Sequence, residues 1–320
     1  MRAFLTRTWH WWALAALVLV FFSDPLFTGR VFFYRDLGML MHPVLQAARA
    51  DGTLIPFWTH LLSNGRPLLA NPGYALLAPL NVVYAIFPFH LAFNVFLVAH
   101  VLVGATGMAF LARRLGCSRG AAFAAGAAYG LGGGMISAIA LYWTAVAAAW
   151  APWVLAAGHA ACEKPTPRRV ALLGLALGAQ ALGGQPEPIL ATLLVGGLMS
   201  LAIASGSRLR RAGIVAATWG IAGIWGMLIA APQLLPAAIH ARTTYRALGF
   251  STDQILYNSL DPRALAGFFL PLWGGSPMER LTGGFPGAAW TDTGTPLYSF
   301  RPDTHVPITG VVNTPYCPIK

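Results

Sequence analysis

Charge is what this chain has least of. Only 10% of its residues are Asp, Glu, Lys or Arg, and just 10 of 320 are acidic, whereas a soluble domain carries about 25% charged residues. With 57% hydrophobic residues and a mean hydropathy of +0.61, the chain has far more apolar surface than a soluble core of this length needs. This composition excludes an ordinary soluble enzyme and identifies an integral membrane protein. Cysteine is equally sparse: Cys117, Cys162 and Cys317 have no metal-like spacing and make no disulfide framework. No tandem repeat and no low-complexity linker divides the chain. A Gly-rich nucleotide-binding motif is also missing, which argues against nucleotide-sugar chemistry. The formal charge of +11 would suit nucleic acid if the basic residues formed one patch. They fall instead in short clusters between apolar runs, so no nucleic-acid partner is expected.

Those apolar runs predict about seven membrane spans, each needing roughly 20 residues to cross. They run from Trp11 to Phe27, His90 to Ala112, Gly120 to Ala140, Trp143 to Ala161, Val170 to Gly184, Ile189 to Ser205 and Ile214 to Ile239. A secretory signal is the rival reading of the first, which follows Arg2 and Arg7. No small-residue cleavage site succeeds it, and Asp24-Pro25 stands where one belongs, so it reads as a retained anchor. Tyr74 to Phe87, broken by proline, and Ala264 to Trp273 are too short to cross and read as re-entrant or interfacial pieces. The fold class expected is all-α, a polytopic transmembrane helix bundle.

The loops orient this bundle. Arg113, Arg114 and Arg119 share one loop, Lys164, Arg168 and Arg169 another, and Arg208, Arg210 and Arg211 a third. With Arg2 and Arg7 they fall on one face, expected to be cytoplasmic, and the connections Leu141-Tyr142 and Gln185 to Pro188 carry no Lys or Arg. The long loop 28–73 lies on the outer side and holds Arg30, Arg35, Arg49 and Arg66, which call for a separate explanation. Gly126, Gly130 and Gly134, at intervals of four, and then Gly174 and Gly178 predict close helix contact in lipid.

Four polar segments converge on the outer side: Arg35-Asp36, the stretch from Trp58 through His60 and Arg66 to Pro72, the junction Gly183 to Pro188, and Asp261-Pro262-Arg263. An aspartate just beyond a span caps or solvates a turn in the structural reading. In the functional reading its carboxylate takes a proton from a hydroxyl nucleophile, while neighbouring guanidinium groups match the oxygens of a lipid phosphate. The Gly183 to Pro188 junction is an ordinary turn or, since its two flanking spans are short, an unwound segment at membrane depth. Such a segment is tolerated where it lines a protein cavity. Of the polar residues inside the spans, His100, Thr106 and Gln180, the histidine reads as a packing residue rather than a proton relay.

The ordered motifs RDLGMLMHP, PFWTHLLSNGRPLLANP, GGQPEP and DPRALAGFFLP, within residues 31–275, resemble the bacterial YfhO-type membrane proteins. These belong to the polyprenyl-phosphate-dependent glycosyltransferases of the GT-C fold. The resemblance implies that Asp36, in the first outer loop, is the catalytic base or acceptor-positioning group, and that Arg66, Asn71 and Glu187 share its cavity. Arg35, His60, Gln185 and Arg263 complete the substrate-binding candidates. The expected reaction moves a sugar from polyprenyl phosphate to a cell-envelope glycan or lipid on the outer face of the bacterial inner membrane, with the N-terminus cytoplasmic. Surrounding membrane lipids are the remaining partners expected. No ligand spacing indicates a metal, and cofactors stay open. A transporter or flippase of a lipid-linked precursor, or an inactive scaffold, are the other readings of the same bundle. The membrane domain is expected over 1–275 and a polar, proline-rich tail over 276–320. Since YfhO-type chains continue through further spans, the resemblance also implies a truncated product.

Overall fold

The computed structural model describes residues 2–34, 36–50, 52–60, 65–204, 206–244, 247, 249 and 250. Arg35, Arg263 with its neighbours Asp261 and Pro262, the apolar piece Ala264 to Trp273 and the tail lie outside the described residues. The described residues are all-α apart from one short hairpin. Its helices are α1 (Arg2–Phe21), α2 (Ser23–Phe27), α3 (His42–Ala48), α4 (Val83–Ile86), α5 (Phe89–Arg114), α6 (Arg119–Leu131), α7 (Gly133–Ile139), α8 (Tyr142–Glu163), α9 (Pro167–Ala181), α10 (Pro186–Ile203) and α11 (Arg208–Ala241). Strands β1 (Trp58–Thr59) and β2 (Arg66–Pro67) pair antiparallel, Trp58 opposite Pro67 and Thr59 opposite Arg66.

The helix starts follow local chemistry. Ser118, Thr166 and Ser207 cap α6, α9 and α11, each accepting a bond from a backbone N–H three residues on (Ala121, Arg169 and Arg210). Pro167 and Pro186 stand at the first positions of α9 and α10, where a missing N–H costs nothing. Among the described residues, five helical segments are long and apolar enough to cross a membrane: Phe89–Arg114, Arg119–Ile139, Tyr142–Glu163, Pro186–Ile203 and Arg208–Ala241. The protein is therefore a polytopic, multi-pass membrane protein.

The other two expected spans are shorter. The run expected from Trp11 to Phe27 stops as one helix at Phe21, and α2 restarts it at Ser23. Pro25 has no N–H to continue the ladder, and Asp24 is drawn into an ion pair with Arg30 at 2.9 Å. The run expected from Val170 to Gly184 is α9, whose 15 residues reach only about 22 Å, less than the hydrocarbon thickness of about 30 Å. Tyr74 to Phe87 forms a short 3-10 turn at Pro79–Val82 followed by the single turn of α4, and does not cross.

Helix α5 is the centre of the bundle, packed between α6 and α8, while α8 also holds α9 and α10, and α11 lies along α9. Small residues set these distances. A Cβ on Gly126 would stand 2.7 Å from the Ala105 carbonyl oxygen, and one on Gly130 2.7 Å from the Ala105 Cβ. Gly174 and Gly178 admit Trp225 and Ile229 of α11 in the same way. Gly134 does not belong to this set. It sits beyond the bend at Gly132 that separates α6 from α7, and open space surrounds it.

Three buried amides brace the end of the bundle that carries the long loop, two of them by holding irregular backbone and Gln180 by joining three helices. Asn94 of α5 donates to the carbonyls of Pro25 and Arg30, both at 2.7 Å, and accepts from the Phe32 N–H at 3.1 Å. Gln180 of α9 donates to Thr192 of α10 at 2.9 Å and to the Ala147 carbonyl of α8 at 3.2 Å. Gln233 of α11 donates to the Pro72 carbonyl at 3.0 Å and accepts from the Leu77 N–H at 3.4 Å. Backbone that leaves a helix at membrane depth requires such partners, because lipid offers none.

Candidate functional site

The loop end of the bundle starts with an aspartate that is not spent on capping. Asp36 precedes a π turn over Leu37–Met41 and occupies its N-cap position, yet its carboxylate makes no capping bond. The side chain is half-buried. The wide turn closes with the His42 N–H on the Leu37 carbonyl. Gly38 lies against the Phe33 ring, 2.8 Å from where a Cβ would stand. Single π turns concentrate at functional sites because they displace side chains from the regular helical register.

Helix α3 follows directly and packs on β1, whose Thr59 pairs with Arg66 on β2. The loop segment bearing Asp36 is thus joined to the strand bearing Arg66. Arg66 and Asn71 lie near enough to the Tyr74 hydroxyl to act on its ionisation. Burial pushes that phenol above its ordinary value, and Arg66 and Asn71 partly oppose the rise, so Tyr74 stays a neutral hydroxyl at physiological pH. Asn71 also accepts from the Gly73 N–H at 3.1 Å, fixing the turn Pro72–Tyr74. Ala75 then takes φ +48, a left-handed conformation that costs a non-glycine residue energy and is maintained here by the surrounding contacts.

The Gly183 to Pro188 junction meets this same turn. Gly184 has φ +77, and a Cβ there would collide with the Pro72 carbonyl. Gly183 packs equally close to α8, with the Ala147 nitrogen 2.7 Å from its hypothetical Cβ. Two motifs more than 100 residues apart therefore touch through backbone, the Pro72–Tyr74 turn against Gly184. Gln185 donates to the Glu187 carboxylate. Among the described residues no hydrogen bond or ion pair links Asp36 to Arg66 or Glu187. His60 is exposed next to β1.

Three of the four arginines of the long loop lie among the described residues, and each has a neighbour. Arg30 pairs with Asp24, and Arg66 serves Tyr74. Arg49 donates to Asn81 at 3.0 Å and lies 4.2 Å over the Tyr84 ring. Its Nε and Nη1 are enclosed without a partner among the described residues. Tyr84 is pushed up to about 12 by burial, Arg49 opposing. Nothing in the sequence marked Arg49, Asn81 and Tyr84 as a unit, because 32 residues separate the arginine from the asparagine.

His42 and His90 form a second group that sequence reasoning passed over. The His42 Nε2 and His90 Nδ1 are 3.0 Å apart, with one ring donating to the other, and Phe89 and Phe93 meet the His42 ring edge-on. Burial, and then the neighbouring His90, lower His42 from 6.5 to about 4. The folded state thus binds fewer protons than the unfolded chain between these values, so stability rises with pH across the interval. Thermal stability of the detergent-solubilised protein is expected to be level above pH 6.5 and to fall as pH drops towards 4. His42→Phe, which cannot titrate among those phenylalanines, should flatten that slope; an unchanged slope would relieve His42 of the effect.

Two cavities lie at the opposite, basic end of the bundle. One, of about 570 Å³, is a wholly apolar trough between α9 and α11. The other, of about 580 Å³, runs between α5, α8 and α9 and includes Arg114, Arg168 and Arg169. Neither touches the candidate residues of the loop end, and the two ends are chemically separate. Among the described residues no three His, Cys, Asp or Glu side chains gather as a metal site. Compared with protein families, with curated proteins and with solved structures, the chain matches none.

Proposed function

We propose that this protein is a membrane glycosyltransferase of YfhO type and GT-C class, working at its loop end, which faces outward. The donor is a sugar on polyprenyl phosphate and the acceptor a hydroxyl of an envelope glycan or lipid. The observation that carries the reading is the backbone contact between the Pro72–Tyr74 turn and the Gly184 junction. It sets the turn that follows Arg66 and Asn71 against the junction that precedes Gln185 and Glu187, which supports a shared site there, and the Asp36 carboxylate, free of any capping bond, supports its role as the base.

In this reading Asp36 takes the proton of the acceptor hydroxyl as its oxygen attacks the anomeric carbon. The bond from that carbon to the phosphate oxygen breaks with inversion, and its electron pair leaves on polyprenyl phosphate. Arg66, with Arg35, neutralises the charge that develops on the leaving phosphate. Asn71, Gln185 and Glu187, with His60 and Arg263, orient sugar hydroxyls by hydrogen bonding in this reading.

A transporter or flippase of the same lipid-linked precursor remains the second reading, supported by one observation. His100 is fully buried within α5, with Nδ1 on the Phe96 carbonyl at 2.8 Å and Nε2 without a partner among the described residues. Ionisable groups at such depth mark proton or substrate paths in transporters. Membranes containing the full chain, supplied with polyprenyl-phosphate sugar and a labelled acceptor, separate the two. Covalent transfer supports the enzyme, whereas movement of the lipid-linked sugar without transfer supports the flippase.

Orientation has its own test in the native cysteines. Cys117 is exposed in the loop after α5, at the basic end. With Cys317 replaced by serine, an impermeant thiol reagent should leave intact cells unlabelled and label Cys117 after permeabilisation. Labelling of intact cells would put the basic end outside and end the outward assignment of Asp36 and Arg66.

A further inference from the structure

The cavity between α5, α8 and α9 has a charged mouth and an apolar wall. Arg114, Arg168 and Arg169 stand at the mouth, and the carboxylate nearest to them is Glu163. Two of the three arginines are already engaged. Arg114 donates to Glu163 at 2.7 Å and to His159 at 3.2 Å. Arg169 donates to the carbonyls of Ala160 at 2.8 Å and Lys164 at 3.3 Å, closing the end of α8. Arg168 is exposed and has no partner among the described residues. It occupies the first turn of α9, where the positive end of the helix dipole adds to its own charge.

Above these charges the wall is hydrocarbon in character. Phe110 stacks on Trp153 at 5.3 Å, and Leu172 and Leu175 face them across the groove, each about half exposed. The Trp153 Nε1 is satisfied by the Val103 carbonyl at 2.9 Å, so its ring presents an apolar face. A cationic mouth beneath an apolar trough is complementary to an amphiphile with an anionic head and a hydrocarbon tail. A soluble anion would leave the trough unfilled, and a zwitterionic lipid would bring its own ammonium group among the three arginines.

We infer that this groove is a binding site for an anionic glycerophospholipid from the leaflet that meets the basic end. The phosphate sits against Arg168 and the α9 N-terminus, and one acyl chain lies between Phe110, Trp153, Leu172 and Leu175. The short α9 makes this useful to the fold. Its about 22 Å cannot span the bilayer alone, and a lipid held by the head at its N-terminus seals the mismatch on that side. The site is independent of the chemistry proposed for the loop end.

The test uses the full chain in detergent, titrated with phosphatidylglycerol or phosphatidylcholine, with bound lipids counted by native mass spectrometry. Phosphatidylglycerol is expected to bind about fivefold more tightly, the factor for one arginine at a membrane surface. Arg168→Gln should abolish that preference, while Arg210→Gln, on the same basic end but outside the groove, should keep it. Leu172→Trp, at an exposed position that tolerates bulk, should weaken both lipids by filling the trough. Equal binding of the two lipids by the wild-type chain would overturn the inference. So would a preference that survives Arg168→Gln, or one that Arg210→Gln reduces as much.

Discussion

Asp36→Asn is expected to lower sugar transfer by about 100- to 10,000-fold, the range for loss of a general base, with folding and orientation unchanged. Asparagine keeps the size and the hydrogen-bonding outline of the side chain and loses only the ability to accept a proton. The structure makes this substitution informative because the carboxylate caps nothing: no bond to the π turn Leu37–Met41 depends on it. A thermal shift should therefore accompany the rate loss only weakly. Arg66→Lys makes the contrast. It preserves the positive charge beside Tyr74 but removes the two-pronged guanidinium face, so weaker lipid-phosphate binding with residual turnover is expected. The measurement is transfer from polyprenyl-phosphate sugar in membranes, with protein amount normalised. Wild-type rates in Asp36→Asn would return the residue to a part of the loop's shape and remove the base from the mechanism.

Gly184→Ala is expected to be the most damaging small substitution in the loop end. At φ +77 an alanine pays the left-handed penalty, and its Cβ also meets the Pro72 carbonyl. Together these amount to about 2–5 kcal/mol. Gly29 provides the control, since it has φ +74 but nothing within 4 Å of a Cβ. Gly29→Ala therefore carries the backbone strain alone. The difference between the two variants in thermal unfolding measures what the contact between the junction and the Pro72 turn contributes. If both variants shift by the same amount, the junction does not rest on the turn, and the grouping of Arg66 with Glu187 loses its structural basis. On the proposed function, a larger loss in Gly184→Ala should be matched by reduced transfer, because the segments that meet there carry the two halves of the proposed site.

Much of the fold was legible from hydropathy and caps. The apolar runs around Phe89–Arg114, Tyr142–Glu163 and Arg208–Ala241 became helices close to their expected limits, since in lipid a continuous apolar run has no alternative but to satisfy its backbone internally. The glycines at 126, 130, 174 and 178 also declared their packing, because spacing of four places them on one helical face. Gly134 shows where that logic ends: the bend at Gly132 rotates it off the face, and periodicity carries no record of a broken helix axis. The first run shows the same limit, divided at Phe22 by Pro25 and the Asp24–Arg30 pair.

Of the candidate site, the residue types and their loops were readable from the sequence, but not what holds them. Composition and charge order by themselves determined that the chain is a multi-pass membrane protein with its cations in alternate short loops, because both follow from the cost of polar groups in hydrocarbon. Tertiary structure alone decided which distant segments touch. Gln233 reaching Pro72, Asn94 gathering Pro25, Arg30 and Phe32, Arg49 lying over Tyr84 and His42 meeting His90 join residues between 35 and 161 positions apart. Each joins a side chain, in most cases one carried by a helix, to a distant segment through polar contacts, with no period and no local propensity to announce it. Such contacts exist because folded backbone at membrane depth must find its partners within the protein, and which partner it finds is settled by how the helices pack.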